Sequence, residues 1–337
     1  MPPITVLMPA HNAGPYLREA MDSVLGQTFR DFEFLIVDDA STDDTPAIVR
    51  AFRDERVRYV RSDARLRLAG ALNQGLELAR GAVIARMDAD DICLPVRLAV
   101  QHAYLSQHLE VGLCGAGVER FGLQRGPFHR MPLTYAETQA YALFDDPFAH
   151  PTVALRRDLF NRHRLRYDPA YCPADDYELW SRALRLFPCV NLDRIVLRYR
   201  VHGQSLTQAE WSDMDAHAAR VAARELQSLG VAHDGESTRF HRNIGRGRGF
   251  PIRRRDELLR AEHWLRTLQS AAESSGRYQT AALRRTVADI WFRACYHAGA
   301  LGLWALRSFA VSPLRHARRT SVREWLALAR GAAIRSV

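Results

Sequence analysis

The first ninety residues alternate short apolar runs with helical segments, and this alternation limits the possible folds more than any other feature. Four apolar runs have the length of buried strands: 4–8, 34–37, 57–60 and 83–87. The intervening segments have helical periodicity, as in 16–26, where one face collects Leu17, Ala20, Met21 and Val24. A strand–helix–strand series predicts a parallel sheet with helices packed on its faces.

Two groups of aspartates follow two of these apolar runs. Asp38 and Asp39 end the second run, and Asp88, Asp90 and Asp91 follow the fourth. In an open α/β sheet, ligands bind beyond the carboxyl ends of the strands. Grouped carboxylates repel one another and are costly to desolvate, so they need a cationic partner. The sequence therefore predicts a divalent cation that holds a phosphorylated ligand at this edge of the sheet.

Composition supports a folded chain with an arginine-rich surface. The chain has 337 residues, of which 47% are hydrophobic, enough for one large domain or two. All 47 basic residues are arginine, and the net charge is +9. This charge fits either an anionic partner or a solvated surface. The five cysteines are odd in number and lack CxxC spacing, which predicts reduced thiols in a cytosolic protein.

The pattern changes in the second part of the chain. Helices are predicted over 95–108 and 175–187, among short strands and loops. The last third has helical character throughout, except for a predicted loop near 233–252. We therefore predict two regions, an α/β domain and a helical region: 1–206 and 207–337.

The end of the chain has a basic amphipathic pattern. Segment 311–337 mixes arginines such as Arg319 and Arg323 with apolar residues such as Val322 and Leu326. This pattern is typical of contact with an anionic membrane surface, or of a helix docked on its own domain. No apolar run approaches the roughly 20 residues of a transmembrane helix, and no signal peptide is visible. We expect a cytoplasmic protein, with contact to the inner face of the cell membrane through this segment.

Three functional classes lack their sequence signals. No GxGxxG follows the first strand, because Gly115 and Gly117 continue to Arg120, which argues against a dinucleotide-binding oxidoreductase. A P-loop is absent, since no Gly-Lys-Ser or Gly-Lys-Thr occurs. The arginines are not interleaved with aromatic stacking residues, so we expect no nucleic acid as a partner.

The chain strongly resembles family 2 glycosyltransferases, which have the GT-A fold. The matching stretches keep the family's order over about residues 4–206: 6–12, 23–28, 37–43, 71–76, 85–91, 150–153, 174–180 and 199–205. The resemblance implies a Rossmann-like, mostly parallel sheet flanked by helices, with a nucleotide-binding half over 1–91 and an acceptor half over 92–206. Two positions depart from the family pattern: Asp175, where Glu is usual, and His11, where Tyr is common.

The resemblance also implies roles in donor binding. Asp39, with Asp38 beside it, would accept a hydrogen bond from a uracil N–H; otherwise these aspartates only cap the next turn. Asp88 and Asp90 form a DxD motif, in which Asp90 is the expected ligand of Mn²⁺ or Mg²⁺. Asp88 would bind the metal, its water or ribose, and His202 would bind the metal or a phosphate. The remaining expected donor contacts are Pro9, His11, Asn12, Arg67 and Ala89.

On the acceptor side, Asp176 is the expected general base. It would take a proton as the acceptor hydroxyl attacks opposite the diphosphate and inverts the anomeric centre. Asp175 would orient this base or meet the acceptor, while His150 and Trp180 would shape the acceptor side.

The resemblance implies metal-dependent transfer of a hexose or N-acetylhexosamine from a nucleotide sugar to a hydroxyl group. By family habit, the expected donor is a UDP-sugar. The acceptor would be a saccharide or lipid-linked saccharide, as in bacterial surface polysaccharide synthesis. The alternative is a non-catalytic nucleotide-sugar or glycan-binding module on the same fold. Such a module should have lost one of three acids, and Asp39, Asp90 and Asp176 are all present, which favours the enzyme.

Overall fold

A computed structural model describes residues 1–127, 131–203, 211–246 and 252–334 of the chain. The chain divides into two compact units: Met1–Thr138 with Asp146–Ala218, and Gln139–Asp145 with Ala219–Val337. Each unit has its own core of buried apolar side chains. The division therefore falls later than the predicted boundary at residue 206, and a short internal segment belongs to the second unit.

The first unit begins with four parallel strands and three helices. The strands are β1 Ile4–Ala10, β2 Phe32–Asp38, β3 Val57–Arg61 and β4 Val83–Arg86. The helices between them are α1 Gly14–Leu25, α2 Thr45–Ala51 and α3 Arg67–Leu78. The strand order is β3-β2-β1-β4, with every neighbouring pair parallel. The chain passes from β1 to β2 and β3 on one side of β1, and then returns to form β4 on the other side of β1. The strand order therefore reverses between β1 and β4. Open α/β sheets bind ligands at such a reversal.

The same sheet continues with antiparallel and parallel strands. Five strands follow: β5 Ile92–Cys93, β6 Leu113–Gly122, β7 Gly126–Pro127, β8 Ala154–Arg156 and β9 Cys189–Val201. The order from β4 is β8-β6-β9-β5, and β7 pairs with β6. The helices of this part are α4 Arg97–Gln107, α5 Tyr135–Ala142, α6 Arg157–Arg162 and α7 Asp175–Ala183. Since β5 directly follows Asp91 and pairs with β9, the end of β9 lies beside the second aspartate group.

The second unit is helical. Its helices are α8 Trp211–Ser228, which begins in the first unit, and α9 Gly235–Arg246, α10 Arg255–Ser274, α11 Thr280–His297, α12 Leu303–Val311 and α13 Val322–Ile334. Within the described residues, none of the helices is long and apolar enough to cross a membrane.

The predicted loop near 233–252 is wrong over most of its length, because α9 occupies it. The Asp234 carboxylate accepts a hydrogen bond from the backbone N–H of Ser237 (2.7 Å), which caps the start of this helix. Phe240 and Ile244, four residues apart, are buried on one face. Polar and glycine-rich composition hid these two signals. Residues 247–251 of the predicted loop lie outside the described part of the chain.

Internal segment 139–145 joins the second unit through its apolar side chains. Ala140, Leu143 and Phe144 are fully buried in that unit's core. His241 and Arg242 of α9 also contact this segment: the imidazole Nε2 lies 2.8 Å from the Leu143 carbonyl, and the guanidinium donates to the Phe144 carbonyl (3.1 Å). These contacts explain why a boundary drawn along the sequence at residue 206 misses part of the second unit.

Helix α3 lies close to β1 because a glycine faces the strand. A Cβ atom placed on Gly75 would lie 2.2 Å from Cδ1 of Leu7, whose side chain fills the space. We expect Gly75→Ala to destabilise the protein by roughly 1–3 kcal/mol, since overpacking forces backbone or rotamer shifts. The measurement is thermal unfolding by circular dichroism. Gly235→Ala is the control, because a Cβ there meets nothing within 4 Å. Equal melting temperatures for the two variants would contradict the close packing.

Candidate active site

The turn after β2 uses its two aspartates differently. The buried Asp38 carboxylate accepts hydrogen bonds from the backbone N–H of Ser41 (2.9 Å) and from the Tyr59 hydroxyl. The guanidinium of Arg61 lies 3.6 Å from the same carboxylate. These contacts hold the turn around Ala40, whose φ of 54° is left-handed. Asp38 therefore forms the turn, and its contact with the nucleotide stays a prediction.

Asp39 lies next to the last residue of β1. Its backbone N–H donates to the carbonyl of Ala10 (2.8 Å). Its carboxylate accepts hydrogen bonds from Nε of Arg65 (3.0 Å) and from the backbone N–H of Leu66. The Nδ1 atom of His11 lies 2.7 Å from the Asp39 carbonyl, and its Nε2 atom contacts the Arg65 guanidinium. The structure thus joins His11 and Asp39, as expected for one binding surface.

Arg65 is a residue that the sequence reasoning missed. We singled out Arg67 on the same loop, but Arg67 begins α3 with a left-handed φ of 60° and an exposed side chain. The guanidinium of Arg65 makes the contact with Asp39, at 3.0 Å. The sequence has no signal that distinguishes Arg65 from Arg67, because the local backbone conformation determines which side chain reaches Asp39.

Pro9 and Asn12 support the loop at the end of β1. Pro9 is buried and pairs with Val37 of β2. The side-chain oxygen of Asn12 accepts a hydrogen bond from the backbone N–H of Thr42 (2.9 Å). The backbone N–H of Asn12 donates to the Ser41 hydroxyl (3.0 Å). Both residues thus fix the loops at the ends of β1 and β2, which is where the sequence placed them.

The second aspartate group forms a compact cluster after β4. Carboxylate oxygens of Asp88, Asp90 and Asp91 all lie within 4.8 Å of one another. Ala89 between them is buried in the core, which anchors the turn. Arg86, the last residue of β4, is buried and binds both oxygens of Asp88, at 2.5 and 2.6 Å. The structure therefore brings the two acids of the DxD motif together and adds a buried cation behind them.

Asp91 belongs to this cluster, although the sequence reasoning gave it no role of its own. It is fully buried; one carboxylate oxygen accepts from the backbone N–H of Arg200 (2.8 Å), and the other has no hydrogen-bond partner among the described residues. Burial raises the pKa of Asp91 well above its usual value, and the charges of Asp88 and Asp90 raise it further. A buried carboxylate oxygen without a donor is what a cation would satisfy.

Residues at the end of β9 and just after it complete the cluster. The Nε2 atom of His202 lies 2.9 Å from the Asp90 carboxylate, and its ring centroid lies 4.6 Å from that of Tyr16. The guanidinium of Arg200 donates to the Asp90 carbonyl (2.7 Å) and stacks on Tyr16, 4.8 Å from the ring centroid. Three carboxylates and one imidazole are a donor set that fits Mg²⁺ or Mn²⁺. The family-like segment continues to Ser205, which lies outside the described residues.

The remaining pair of acids begins α7. Asp175 is buried, and one of its oxygens has no hydrogen-bond partner among the described residues. Burial raises the pKa of Asp175 to about 7, and the nearby charge of Asp176 contributes to the shift. Asp176 is partly exposed, and its carboxylate accepts from the backbone N–H of Tyr177 (2.8 Å). Burial raises the pKa of Asp176 as well, while the Tyr177 N–H and the charge of Arg86 oppose that shift.

The two residues predicted on the acceptor side differ in position. His150 lies beside Asp176, with its Nδ1 atom 3.5 Å from the carboxylate. Trp180 is fully buried, so it could shape the acceptor side only through the residues that it packs against. It lies one helical turn after Asp176 and packs against four rings with centroids within 6.5 Å: Phe148, His150, Phe160 and Tyr167. Trp180 therefore supports the residues around Asp176 from behind.

Comparison with known proteins identifies the family. The profile described as Glycosyl transferase family 2 matches residues 5–164. Over 216 residues, the chain is 32% identical to the O-antigen biosynthesis glycosyltransferase WbnJ of Escherichia coli, an alignment that covers 60% of this chain and 81% of WbnJ. A second relative from Escherichia coli is UDP-Glc:alpha-D-GlcNAc-diphosphoundecaprenol beta-1,3-glucosyltransferase WfaP, which is 26% identical over 68% of this chain and 87% of its own length. The chain belongs to family 2 of the glycosyltransferases.

Solved structures confirm the GT-A fold that the sequence predicted. TarS 1–349 of Staphylococcus aureus in complex with UDP-GlcNAc has a TM-score of 0.59 at 16% identity, over 98% of this chain and 91% of that chain. The mannosyltransferase PcManGT of Pyrobaculum calidifontis, in complex with GDP-Man and Mn²⁺, has a TM-score of 0.53 at 20% identity, over 100% of this chain and 81% of that chain. Both are GT-A glycosyltransferases, and the helical C-terminal region agrees with the prediction.

The buried carboxyl group of Asp175 makes stability depend on pH. Its folded-state pKa of about 7 lies above the usual value of 3.8, so the unfolded chain loses this proton first as pH rises. The contribution of Asp175 to stability is therefore present at low pH and is lost between about pH 4 and 7. We expect Asp175→Asn to raise the melting temperature relative to wild type at pH 8, and less so at pH 5. Thermal unfolding across this pH range is the measurement; a uniform loss of stability at every pH would contradict the shift.

Proposed function

We propose that this glycosyltransferase uses a divalent cation to move a sugar from a nucleotide donor to a hydroxyl group, with inversion of the anomeric centre. The first candidate for the donor is a UDP-sugar. The acceptor in this proposal is a saccharide or a lipid-linked saccharide in bacterial polysaccharide synthesis. One observation carries the proposal: the ends of β1, β2 and β4 present Asp39 and the Asp88, Asp90 and Asp91 cluster where the strand order reverses.

In this proposal, the loop at the ends of β1 and β2 holds the nucleoside. Asp39 accepts a hydrogen bond from the N–H of the nucleotide base. Arg65 and His11 line the same surface, because both contact Asp39. The positive charges of Arg65 and Arg67 would attract the diphosphate of the donor. A uracil nucleotide is supported by the names of two similar proteins, TarS in complex with UDP-GlcNAc and WfaP, whose donor is UDP-Glc.

Asp90 and Asp91 are the proposed ligands of the cation, with His202 as a nitrogen ligand. Asp88 keeps its two hydrogen bonds with Arg86, so its remaining lone pairs are suited to a metal-bound water or to ribose. When bound, Mn²⁺ or Mg²⁺ neutralises the diphosphate as a Lewis acid and so improves the leaving group. Arg200 holds the turn through the Asp90 carbonyl and the Asp91 carboxylate, which keeps the ligands in place.

Asp176 is the proposed general base. Its partly exposed carboxylate takes the proton of the acceptor hydroxyl as that oxygen attacks the anomeric carbon opposite the diphosphate. One carboxylate is enough, because the leaving group needs no protonation; glycosidases, which must protonate theirs, use two. The raised pKa of Asp176 makes the carboxylate a stronger base. Asp175, whose pKa is about 7, reduces the negative charge beside that base when it retains its proton.

Contact with a lipid-linked acceptor would bring the protein to the membrane, and α13 has a suitable face. Val322 and Leu326, one turn apart, are 76% and 50% exposed. The exposed cations Arg319 and Arg323 lie in the same stretch of sequence. Arg318 does not contribute, because it pairs with Asp289 at 2.6 Å and with Glu324. An apolar face beside free arginines fits an anionic lipid surface, and we propose peripheral contact there at the inner face of the membrane.

The donor and metal proposal predicts coupled binding. We expect one nucleotide class among UDP-, GDP-, dTDP- and CMP-sugars to raise the melting temperature in the presence of Mn²⁺, with little effect in its absence, because a ligand stabilises the state it binds. Asp90→Asn should abolish the Mn²⁺-dependent shift. Asp193→Asn, the same charge change at an exposed position of β9, is the matched control and should behave as wild type. Stabilisation that persists in Asp90→Asn would remove this residue from the metal site, and no shift with any nucleotide would overturn the donor site.

The membrane proposal predicts a salt-sensitive interaction. We expect the wild type to sediment with vesicles that contain phosphatidylglycerol, and less with phosphatidylcholine alone or at 0.5 M salt. The double variant Val322→Ser/Leu326→Ser should lose most of this binding, because burial of each side chain contributes about 1.5–3 kcal/mol. Leu259→Ser, at a 54% exposed site of the same unit, is the control. Binding by the double variant equal to that of wild type would exclude this face.

A further inference from the structure

His150 occupies a central position between a tyrosine and the proposed base. Its Nε2 atom lies 2.9 Å from the hydroxyl of Tyr167, and its Nδ1 atom lies 3.5 Å from the Asp176 carboxylate. The edge of Trp180 supports the ring, with centroids 5.9 Å apart. Tyr167 is itself held by two hydrogen bonds between its backbone and the Asn73 side chain, at 2.8 and 2.9 Å. The imidazole is therefore fixed from three sides.

These contacts select one tautomer of the ring. In one arrangement the Tyr167 hydroxyl donates to Nε2 and the ring proton lies on Nδ1, facing Asp176; in the other, Nε2–H donates to the hydroxyl oxygen. The opposite tautomer would direct the lone pair of Nδ1 at an ionised carboxylate, which is unfavourable. Burial and the charge of Arg86 hold the pKa of His150 well below its usual value, so the ring is neutral near pH 7.

We propose that His150 is a positioning residue for glycosyl transfer: its Nδ1–H donates to the Asp176 carboxylate and fixes the orientation of the base toward the acceptor hydroxyl. The inference rests on the proposed role of Asp176 as the base. One carboxylate oxygen accepts from the Tyr177 N–H, at 2.8 Å, and the other faces His150. A hydrogen bond from Nδ1–H to that second oxygen would give each oxygen a donor and restrict rotation of the carboxylate, which also has a side-chain hydrogen bond with Asp146. A neutral donor is suited to this task, because an imidazolium would form an ion pair and weaken the base.

A hydrogen bond to the charged form of a carboxylate lowers its pKa, whereas burial raises it. The groups that act on Asp176 from the surrounding elements are known from the structure: Arg86, Asp146, Asp175, the Tyr177 N–H and His150. In the proposal, donation from His150 lowers the pKa of Asp176 and so opposes the effect of burial, which raises it. Loss of the donor would therefore raise the pKa of Asp176.

The first test measures the tautomer directly and needs no substrate. Long-range ¹H–¹⁵N spectra of ¹⁵N-labelled protein distinguish Nδ1–H from Nε2–H, and His150→Phe assigns the signal. We expect a neutral Nδ1–H tautomer for His150 from pH 6 to 8, and a mixture of tautomers in Tyr167→Phe, which lacks the hydroxyl donor. An Nε2–H tautomer or an imidazolium in the wild type would overturn the proposal, whatever the activity of the protein.

The second test is kinetic and uses release of UDP from UDP-GlcNAc with Mn²⁺. We expect His150→Phe, which keeps the ring shape, to lower kcat by about 10- to 100-fold with an unchanged donor KM, since the base loses its alignment. The acidic limb of the kcat profile should move to higher pH. His150→Asn should recover much of the loss, because its amide nitrogen takes the place of Nδ1.

The outcomes of the two tests separate the interpretations. Equal kcat values for the wild type and His150→Phe, or equal losses in His150→Phe and His150→Asn, would overturn the positioning role. A higher donor KM with an unshifted pH profile would make His150 a substrate contact instead. If the wild type releases no UDP while the spectra show the Nδ1–H tautomer, the proposed function fails for this donor and the geometry of His150 stands. Melting temperatures of all variants exclude loss of fold as the cause.

Discussion

The buried ion pair between Arg86 and Asp88 is the interaction around which the site is arranged. Arg86 ends β4, opposite Leu7 of β1, so the sheet register fixes the place of its charge. Arg97 donates to the Arg86 carbonyl (2.6 Å) and holds the backbone there. The guanidinium binds Asp88 on one side and acts electrostatically on His150, Tyr167 and Asp176. Because the Arg86 side chain is buried, loss of Asp88 would leave a buried charge without its partner, which costs several kcal/mol.

Much of the first unit could be predicted from the sequence, because its signals are local and its topology follows a general rule. The apolar run 34–37 is a buried strand, and Asp39 follows that strand. The carboxyl ends of β1, β2 and β4 lie at the same edge of the sheet, because parallel strands are joined by crossover connections of one handedness. The ligand site then lies where the strand order reverses. That rule placed Asp39 and Asp90 at the same edge of the sheet without any side-chain information.

The rest depends on contacts between residues far apart in the sequence, which no local pattern encodes. Asp90 meets His202 across 112 residues, and Asn73 binds Tyr167 across 94. The first pair was expected only through the family resemblance, and the second was not foreseen. The choice of Arg65 over Arg67 depends on a left-handed backbone, and the burial of Trp180 depends on rings from three other segments. Helix α9 was missed because its polar composition resembles a loop, although its cap and its two buried apolar residues were present in the sequence.

The assignment of residues 139–145 to the second unit has a consequence for how the chain is made. Phe144 leaves the ribosome well before its partners: the guanidinium of Arg242 that binds its carbonyl lies 98 residues later. At a synthesis rate of about 5–20 residues per second, this apolar segment waits roughly 5–20 s for its packing surface. During that interval the apolar side chains of 139–145 lack the core in which they are buried in the folded protein. Synthesis therefore supplies every residue of the first unit by Ala218, whereas the second unit, which needs 139–145, is complete only after the last third of the chain has been made.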